Sequence, residues 1–284
     1  MTNPSDEDSR VTNPPGEGVE AMTFNILAVG DISGTAGLNL LTRKLQGIQK
    51  LYDIDFTVVN AENAHGLGVS ASQAQEILNA GADVITLGNH TWSRYDIIPF
   101  LDDCGSILRP SNFAPQAPGR GWGVFESAYG DVCVINLIGR VDIPIYSENP
   151  FFEIDTILKK TYCRFVLVDF HAEATSEKLA MAYYLDGRVS AMWGTHTHVQ
   201  TSDYRVFPKR MGYITDLGMT GALESVIGME AKSSISRFLG NPPGKFEVAD
   251  GPSKLEGAVF SLDVQTGKCL SVEAIRIMEE KLNK

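Results

Sequence analysis

Between residues 24 and 90 the sequence alternates between short apolar runs and longer stretches of helical period, and this alternation restricts the fold more than any other feature. Phe24-Asn25-Ile26-Leu27-Ala28-Val29-Gly30 is an apolar run of the length of a buried strand. Leu38, Leu41, Leu45, Ile48 and Leu51 then recur at three- and four-residue intervals, which predicts an amphipathic helix. A second run, Phe56-Thr57-Val58-Val59, follows. Ser70 with Gln73 has the pattern of a capping box opening a second helix, and Gly81 is placed to end it. Val84-Ile85-Thr86-Leu87 is the third run. Strands and helices in this order, with short connections, predict a parallel sheet with right-handed crossovers. Ligands bind beyond the carboxyl ends of such strands. The three runs deliver Asp31, then Glu62 and Asn63, then Asn89 and His90, to that edge.

The later chain repeats the arrangement. After a loop over 109–123 rich in Pro, Gly and Asn, two further strands are predicted at 132–138 and 165–170, the second ending in His171. A helical stretch over 173–185 leads to the apolar run 189–193 and then to Gly194-Thr195-His196-Thr197-His198. Residues two apart on a strand share a face, so His196 and His198 are predicted to point together. The segments 246–249, 258–264 and 270–277 alternate as antiparallel strands do. Strands on both sides of the candidate site imply two sheets packed face to face with helices outside. No internal repeat or composition break interrupts residues 23–284, which read as one domain. Residues 1–22, carrying Pro4, Pro14 and Pro15 among acids and hydroxyls, read as a disordered extension.

Composition narrows the function classes. Apolar residues make up 43% of the chain, enough for a sizeable core. No apolar run reaches membrane-spanning length, and the N-terminus lacks a basic segment followed by an apolar one. A cytoplasmic protein without a membrane partner is the expectation. Cys104, Cys133, Cys163 and Cys269 are scattered without Cys-x-x-Cys spacing and read as reduced core residues. Of the net charge of -11, residues 1–22 contribute five acids against Arg10, and the remainder is still acidic. Such a chain lacks the basic face that long nucleic acid requires. A small anionic substrate remains compatible with it, because a metal can supply positive charge locally.

Asp31, Glu62, Asn63, Asn89, His171, His196 and His198 are the candidate metal ligands. Seven exceed what one ion needs and suit two ions sharing a bridging carboxylate. Singly, each is weak: an Asp after a strand is often a helix cap, and Asn-Ala-Glu-Asn or Gly-Asn-His is often a polar turn. Together with His90 they use four of the five histidines, each after an apolar run. The fifth, His65, matches no ligand position and reads as a rim residue.

In this order the clusters resemble the signature of the calcineurin-like metallophosphoesterases: Asp-x-His, Gly-Asp, Gly-Asn-His, His and Gly-His-x-His. There are two departures. Asp31-Ile32-Ser33 lacks the histidine, and Asn60-Ala61-Glu62-Asn63 replaces Gly-Asp. Both are similar to the YmdB-type bacterial branch, in which a Glu is the bridging carboxylate. The resemblance spans residues 25–277 and includes Thr215-Asp216-Leu217-Gly218-Met219-Thr220-Gly221 and Ser225-Val226-Ile227-Gly228.

It implies an α/β fold, a four-layer α-β-β-α sandwich. It implies two divalent ions, iron or manganese, with zinc compatible with the same donors. Asp31, Asn63 and His198 would hold one ion and Asn89, His171 and His196 the other, bridged by Glu62. Two divalent ions against two carboxylates leave two positive charges to draw in a phosphodiester. The implied reaction is hydrolysis of 2',3'-cyclic nucleotides to 3'-nucleotides by a hydroxide held between the ions, with His90 protonating the departing oxygen. The implied partner is thus a small phosphodiester, and a homo-oligomer is compatible with this reading. Two alternatives stand beside it: a phosphomonoesterase or protein phosphatase, and a non-catalytic metal-dependent nucleotide-binding regulator. Deleting residues 1–21 is expected to leave melting temperature and turnover nearly unchanged, and a large loss of either overturns the assignment of that segment as an extension.

Overall fold

The computed structural model describes residues 22–242, 244 and 247–279. The predicted extension lies outside them except for Met22. In chain order the elements are β1 (Thr23–Val29), β2 (Asp31–Ile32), α1 (Gly34–Leu51), β3 (Phe56–Asn60), α2 (Ala71–Asn79), β4 (Val84–Thr86), α3 (Ile97–Asp103), β5 (Ile107–Leu108), β6 (Trp122–Phe125) and β7 (Val132–Ile138). They continue through α4 (Pro150–Leu158), β8 (Phe165–His171), α5 (Thr175–Leu185), β9 (Ala191–Thr195), β10 (Arg205–Val206), β11 (Gly212–Ile214), β12 (Met219–Ala222), α6 (Ala231–Phe238), β13 (Ser253–Asp263) and β14 (Cys269–Met278).

The apolar runs become strands because each is buried on both faces, so successive side chains enter different cores. In β1, Leu27 and Val29 pack with Leu38, Leu41, Leu45 and Ile48 of α1. Ile26 and Ala28 point the other way, into a core between two sheets that also holds Phe56, Val132, Phe165 and Trp193. In β7, Cys133, Ile135 and Leu137 face Ile154 and Ile157 of α4 and Met181 and Leu185 of α5. The result is the expected four layers, helix, sheet, sheet, helix.

The first sheet has the order β2-β12-β13-β1-β3-β4-β5, with β14 also paired to β13. Within it β1, β3, β4 and β5 are parallel, as the alternation predicts. The second has the order β10-β11-β9-β8-β7-β6, with β7, β8, β9 and β11 parallel. Both parallel sets end at the same edge of the sandwich.

Two expectations fail. Leu51 does not belong to the buried stripe of α1: it sits in the last turn, 71% exposed, past the packed stretch. The strand expected at 246–249 is reduced to one bridge, Met229 with Val248, and Phe246 lies outside the described residues. Four alternating residues do not distinguish a strand from a loop that tucks two apolar side chains inward. Val248 meets the backbone at Gly34 and Gly66, and Ala249 is buried beside Ala36 and Ala222.

Cys133 and Cys269 lie in strands as expected, and all four cysteines are free. Burial pushes the thiols of both up to about 12, which leaves them unreactive. No described helix is long and apolar enough to cross a membrane. The start of α2 has the predicted capping box: Gln73 N donates to Ser70 Oγ at 3.2 Å, and Ser70 N donates to Gln73 Oε1 at 3.1 Å. Ser70→Ala is expected to lower the unfolding free energy by about 1 kcal/mol, read from the denaturant midpoint. An unmoved midpoint means the box contributes nothing.

Candidate metal centre and active-site cleft

Every expected ligand, and His90 with them, stands at the shared carboxyl edge. Asp31 follows β1, Glu62 and Asn63 follow β3, Asn89 and His90 follow β4, His171 ends β8, and His196 and His198 follow β9. The structure brings all seven expected ligands together.

His171 Nε2 is the point of convergence. It lies 2.9 Å from Glu62 Oε1, 2.9 Å from Asn89 Oδ1 and 3.0 Å from His196 Nδ1. Glu62, His171 and His196 each offer a donor atom within reach of one ion. Beside them, the Asn63 amide is 3.1 Å from His198 Nε2, which is 3.8 Å from Asp31 Oδ1. That Asp31 oxygen is buried without a hydrogen-bond partner. Gly88 makes the approach feasible, since a Cβ there would collide with both Glu62 Oε2 and the His171 ring.

These distances fit a cation. Ligands about 2.1 Å from an ion at right angles to one another lie about 3.0 Å apart, the spacing found around His171 Nε2. The set contains carboxylate, amide and imidazole but no thiolate, which suits divalent first-row metals.

The electrostatics point the same way. Burial alone drives the Glu62 carboxyl up, but the adjacent His171 overrides it and holds the acid at about 2. Burial drives His171 down, and Glu62 with Asp31 more than reverses this, to about 8. Asp31 rises to about 6 because burial outweighs its histidine neighbours. His196 falls to about 3 through burial and the nearby His171. Burial also lowers His90, whose backbone N–H is fixed on Glu62 Oε2 at 3.0 Å. Glu62 and Asp31 thus favour positive charge at the point where the donors converge.

His196 and His198 converge for a reason other than strand alternation. β9 stops at Thr195, and the backbone is left-handed at both histidines, with φ of 99° and 64°. For non-glycine residues such conformations cost about 1 to 3 kcal/mol each, so surrounding contacts must impose them.

Those contacts come from residues to which sequence reasoning gave no role at the site. His171 Nδ1 meets Thr195 Oγ1 at 2.9 Å, and that hydroxyl donates to buried Asp169 at 2.8 Å. His198 Nδ1 donates to the Ile227 carbonyl at 2.9 Å. His196 Nε2 faces Glu173 Oε2 at 3.1 Å. Between the two histidines, Thr197 donates through N and Oγ1 to Asp216, which is paired at 2.7 Å with buried Lys178. Asp169 left a signal, as the one acid inside an apolar run. Glu173 and Lys178 left none, and Asp216 stood only within the 215–221 motif quoted for the resemblance. His65 stands apart, facing Arg94 at 3.2 Å.

The donors open into a cleft of about 480 Å³ lined also by His90, Leu67, Ile227 and Met229. Glu173 is 48% exposed at its side chain, so its loss leaves the core untouched. Glu173→Ala is expected to weaken divalent-metal affinity about 10- to 100-fold by freeing the His196 ring, while the metal-free protein melts as before. Unchanged affinity in a metal titration removes Glu173 from this role.

Comparisons with known proteins agree with the geometry. The model of the YmdB-like protein family matches residues 27–275. A Bacillus subtilis (strain 168) protein named 2',3'-cyclic-nucleotide 2'-phosphodiesterase is 41% identical over 262 residues, covering 91% of this chain and 99% of its own. A putative phosphatase/phosphodiesterase of Mycoplasma pneumoniae is 38% identical, covering 91% and 94%. Among solved structures, a phosphatase from Mycoplasma pneumoniae superposes with a TM-score of 0.87 at 37% identity, covering 92% of this chain and 96% of that one. A hypothetical protein from Thermus thermophilus gives 0.85 at 34% identity, covering 90% and 100%. With the fold, the ordered ligand set and the match along nearly the whole chain in agreement, this protein belongs to the YmdB-like family.

Proposed function

We propose that the chain is a metal-dependent phosphoesterase whose substrates are small phosphodiesters, foremost 2',3'-cyclic nucleotides, hydrolysed to 3'-nucleotides at a site holding two divalent ions. The observation that carries this reading is the double convergence of donors, one on His171 Nε2 and one on His198 Nε2, with Glu62 between them. Asn89, His171 and His196 would hold one ion. Asp31, Asn63 and His198 would hold the other, with the Asn63 amide turned so that its oxygen faces the ion. Iron or manganese suits these donors, and zinc is accepted by them. Bound there, divalent ions supply Lewis acidity to the phosphoryl oxygens and lower the pKa of water. The name of the Bacillus subtilis relative supports the substrate class.

The chain's own groups carry the remainder. Hydrolysis joins a water oxygen to phosphorus and breaks the P–O2' bond, so O2' must gain a proton as it leaves. His90 lines the cleft beside Glu62 and is the donor of that proton. Burial lowers its basicity, and an anionic diester beside it raises it again. Lys178 and Asp216 steady Thr197 and, through it, both flanking histidines. A cleft of about 480 Å³ lodges a mononucleotide, which favours a small substrate over a phosphoprotein.

The test uses leaving groups of different need. An alkoxide requires protonation and a nitrophenolate does not, so His90→Ala is expected to lose about 10²- to 10⁴-fold in kcat on 2',3'-cyclic AMP and far less on bis-nitrophenyl phosphate, with metal content retained. Equal slowing of both substrates at full metal content overturns the proton-donor role.

A further inference from the structure

The cleft carries an apolar surface that the chemistry of phosphate cleavage does not use. Leu67, Ile227 and Met229 line it together with the metal donors. Leu67 is 45% exposed and Ile227 is 53% exposed. The surface is firmly built: Val248 bridges to Met229 and packs against Gly66, which precedes Leu67.

Ile227 is out of place by the local rules of the backbone. Val226 N donates to Met229 O at 2.8 Å and Met229 N to Val226 O at 3.0 Å, closing a two-residue turn. Its central residues Ile227 and Gly228 have φ of 48° and 96°. This is a type I' turn, for which Asn-Gly is the favoured pair. A β-branched residue at the first position is strained, because its branched Cβ crowds the backbone in the left-handed region. Burial does not compensate, since the residue is more than half exposed. Nor is the side chain needed to orient His198, which is held by the Ile227 backbone carbonyl that any residue provides. What an isoleucine adds here is apolar area facing the cleft.

We infer that Ile227, with Leu67, forms the surface on which the nucleoside part of the substrate lies while its phosphate is held at the metal centre. This rests on the phosphodiesterase reading above and specifies which part of the substrate is recognised. The occupant follows from continuity: Ile227 lines the same cleft as Glu62, His90 and His198, so a group beside a phosphate bound there meets it. A nucleobase presents an apolar face of matching character. Neither Leu67 nor Ile227 offers a side-chain hydrogen bond, so the surface grips a base without reading its edges. The four 2',3'-cyclic nucleotides are therefore expected to benefit alike.

The test compares 2',3'-cyclic AMP with glycerol 1,2-cyclic phosphate, which has a five-membered cyclic diester but no base, on the full chain loaded with manganese. The unsubstituted protein is expected to prefer the nucleotide in kcat/KM. Ile227→Asn, which places the favoured residue in the turn, is expected to shrink that preference about tenfold, mainly through KM, while melting no lower than the parent. Leu67→Ala is expected to shrink it in the same direction from the neighbouring loop. Equal kcat/KM on both diesters, or an unchanged preference in both variants, overturns the inference and leaves the diesterase reading in place. A large fall in melting temperature for Ile227→Asn also overturns it, because the side chain would then be a packing residue. Turnover of neither diester by the parent overturns the diesterase reading and this inference with it.

Discussion

Two carboxylates and three imidazoles share one largely dry edge between the sheets, and the need to neutralise them governs the structure around it. Glu62 and Asp31 are buried, and taking an ion out of water costs several kcal/mol unless an opposite charge comes with it. The contact between Glu62 and His171 at 2.9 Å meets that need by favouring the charged form of the imidazole. A divalent cation would meet it more fully, with Glu62, His171 and His196 as the residues to hold it. Gly88 is part of the same constraint, since a side chain there would occupy the space where Glu62 and His171 meet.

Holding that edge in shape requires a second, quite different pairing. Lys178 reaches from α5 past Gly194, where a Cβ would come within 2.8 Å of its stem, and ends on Asp216. Breaking such a buried pair by removing one partner costs about 3 to 5 kcal/mol, because the survivor is left charged and dry. The loop it secures bears two histidines in left-handed conformations, which would relax without restraint. Thr197 lies between them and gives both of its donors to Asp216, so the ion pair imposes the backbone that the histidines need. Fold stability and site geometry meet in this one carboxylate.

The parallel strands, the order of the polar clusters and the gathering of seven candidate ligands at one edge were legible in the sequence, because each follows from a local pattern of apolar runs ending in polar residues. The outer contacts were not. Glu173 meets His196 with α5 and β9 between them in the chain, and Lys178 meets Asp216 over 38 positions, so no spacing announces either. The pairing of His196 with His198 was anticipated for the wrong reason, since strand alternation ends one residue too early to produce it. Leu51 continued the helical period beyond the packed stretch, and periodicity alone carries no information on where packing stops.

A strand end sends successive side chains to opposite faces, so it cannot by itself aim closely spaced donors at one point. The backbone has to leave the strand, and left-handed residues turn it in the shortest distance. Among the described residues six non-glycine positions have positive φ, and three of them, His196, His198 and Ile227, border the cleft. At the histidines the strained conformation accompanies the aim of a candidate ligand. At Ile227 it accompanies both a carbonyl that orients His198 and an apolar side chain left facing the cleft. Local backbone preference is set aside in this family member where the site gains from it, and the ion pair, the glycines and the capped helices around the edge supply the stability that allows it.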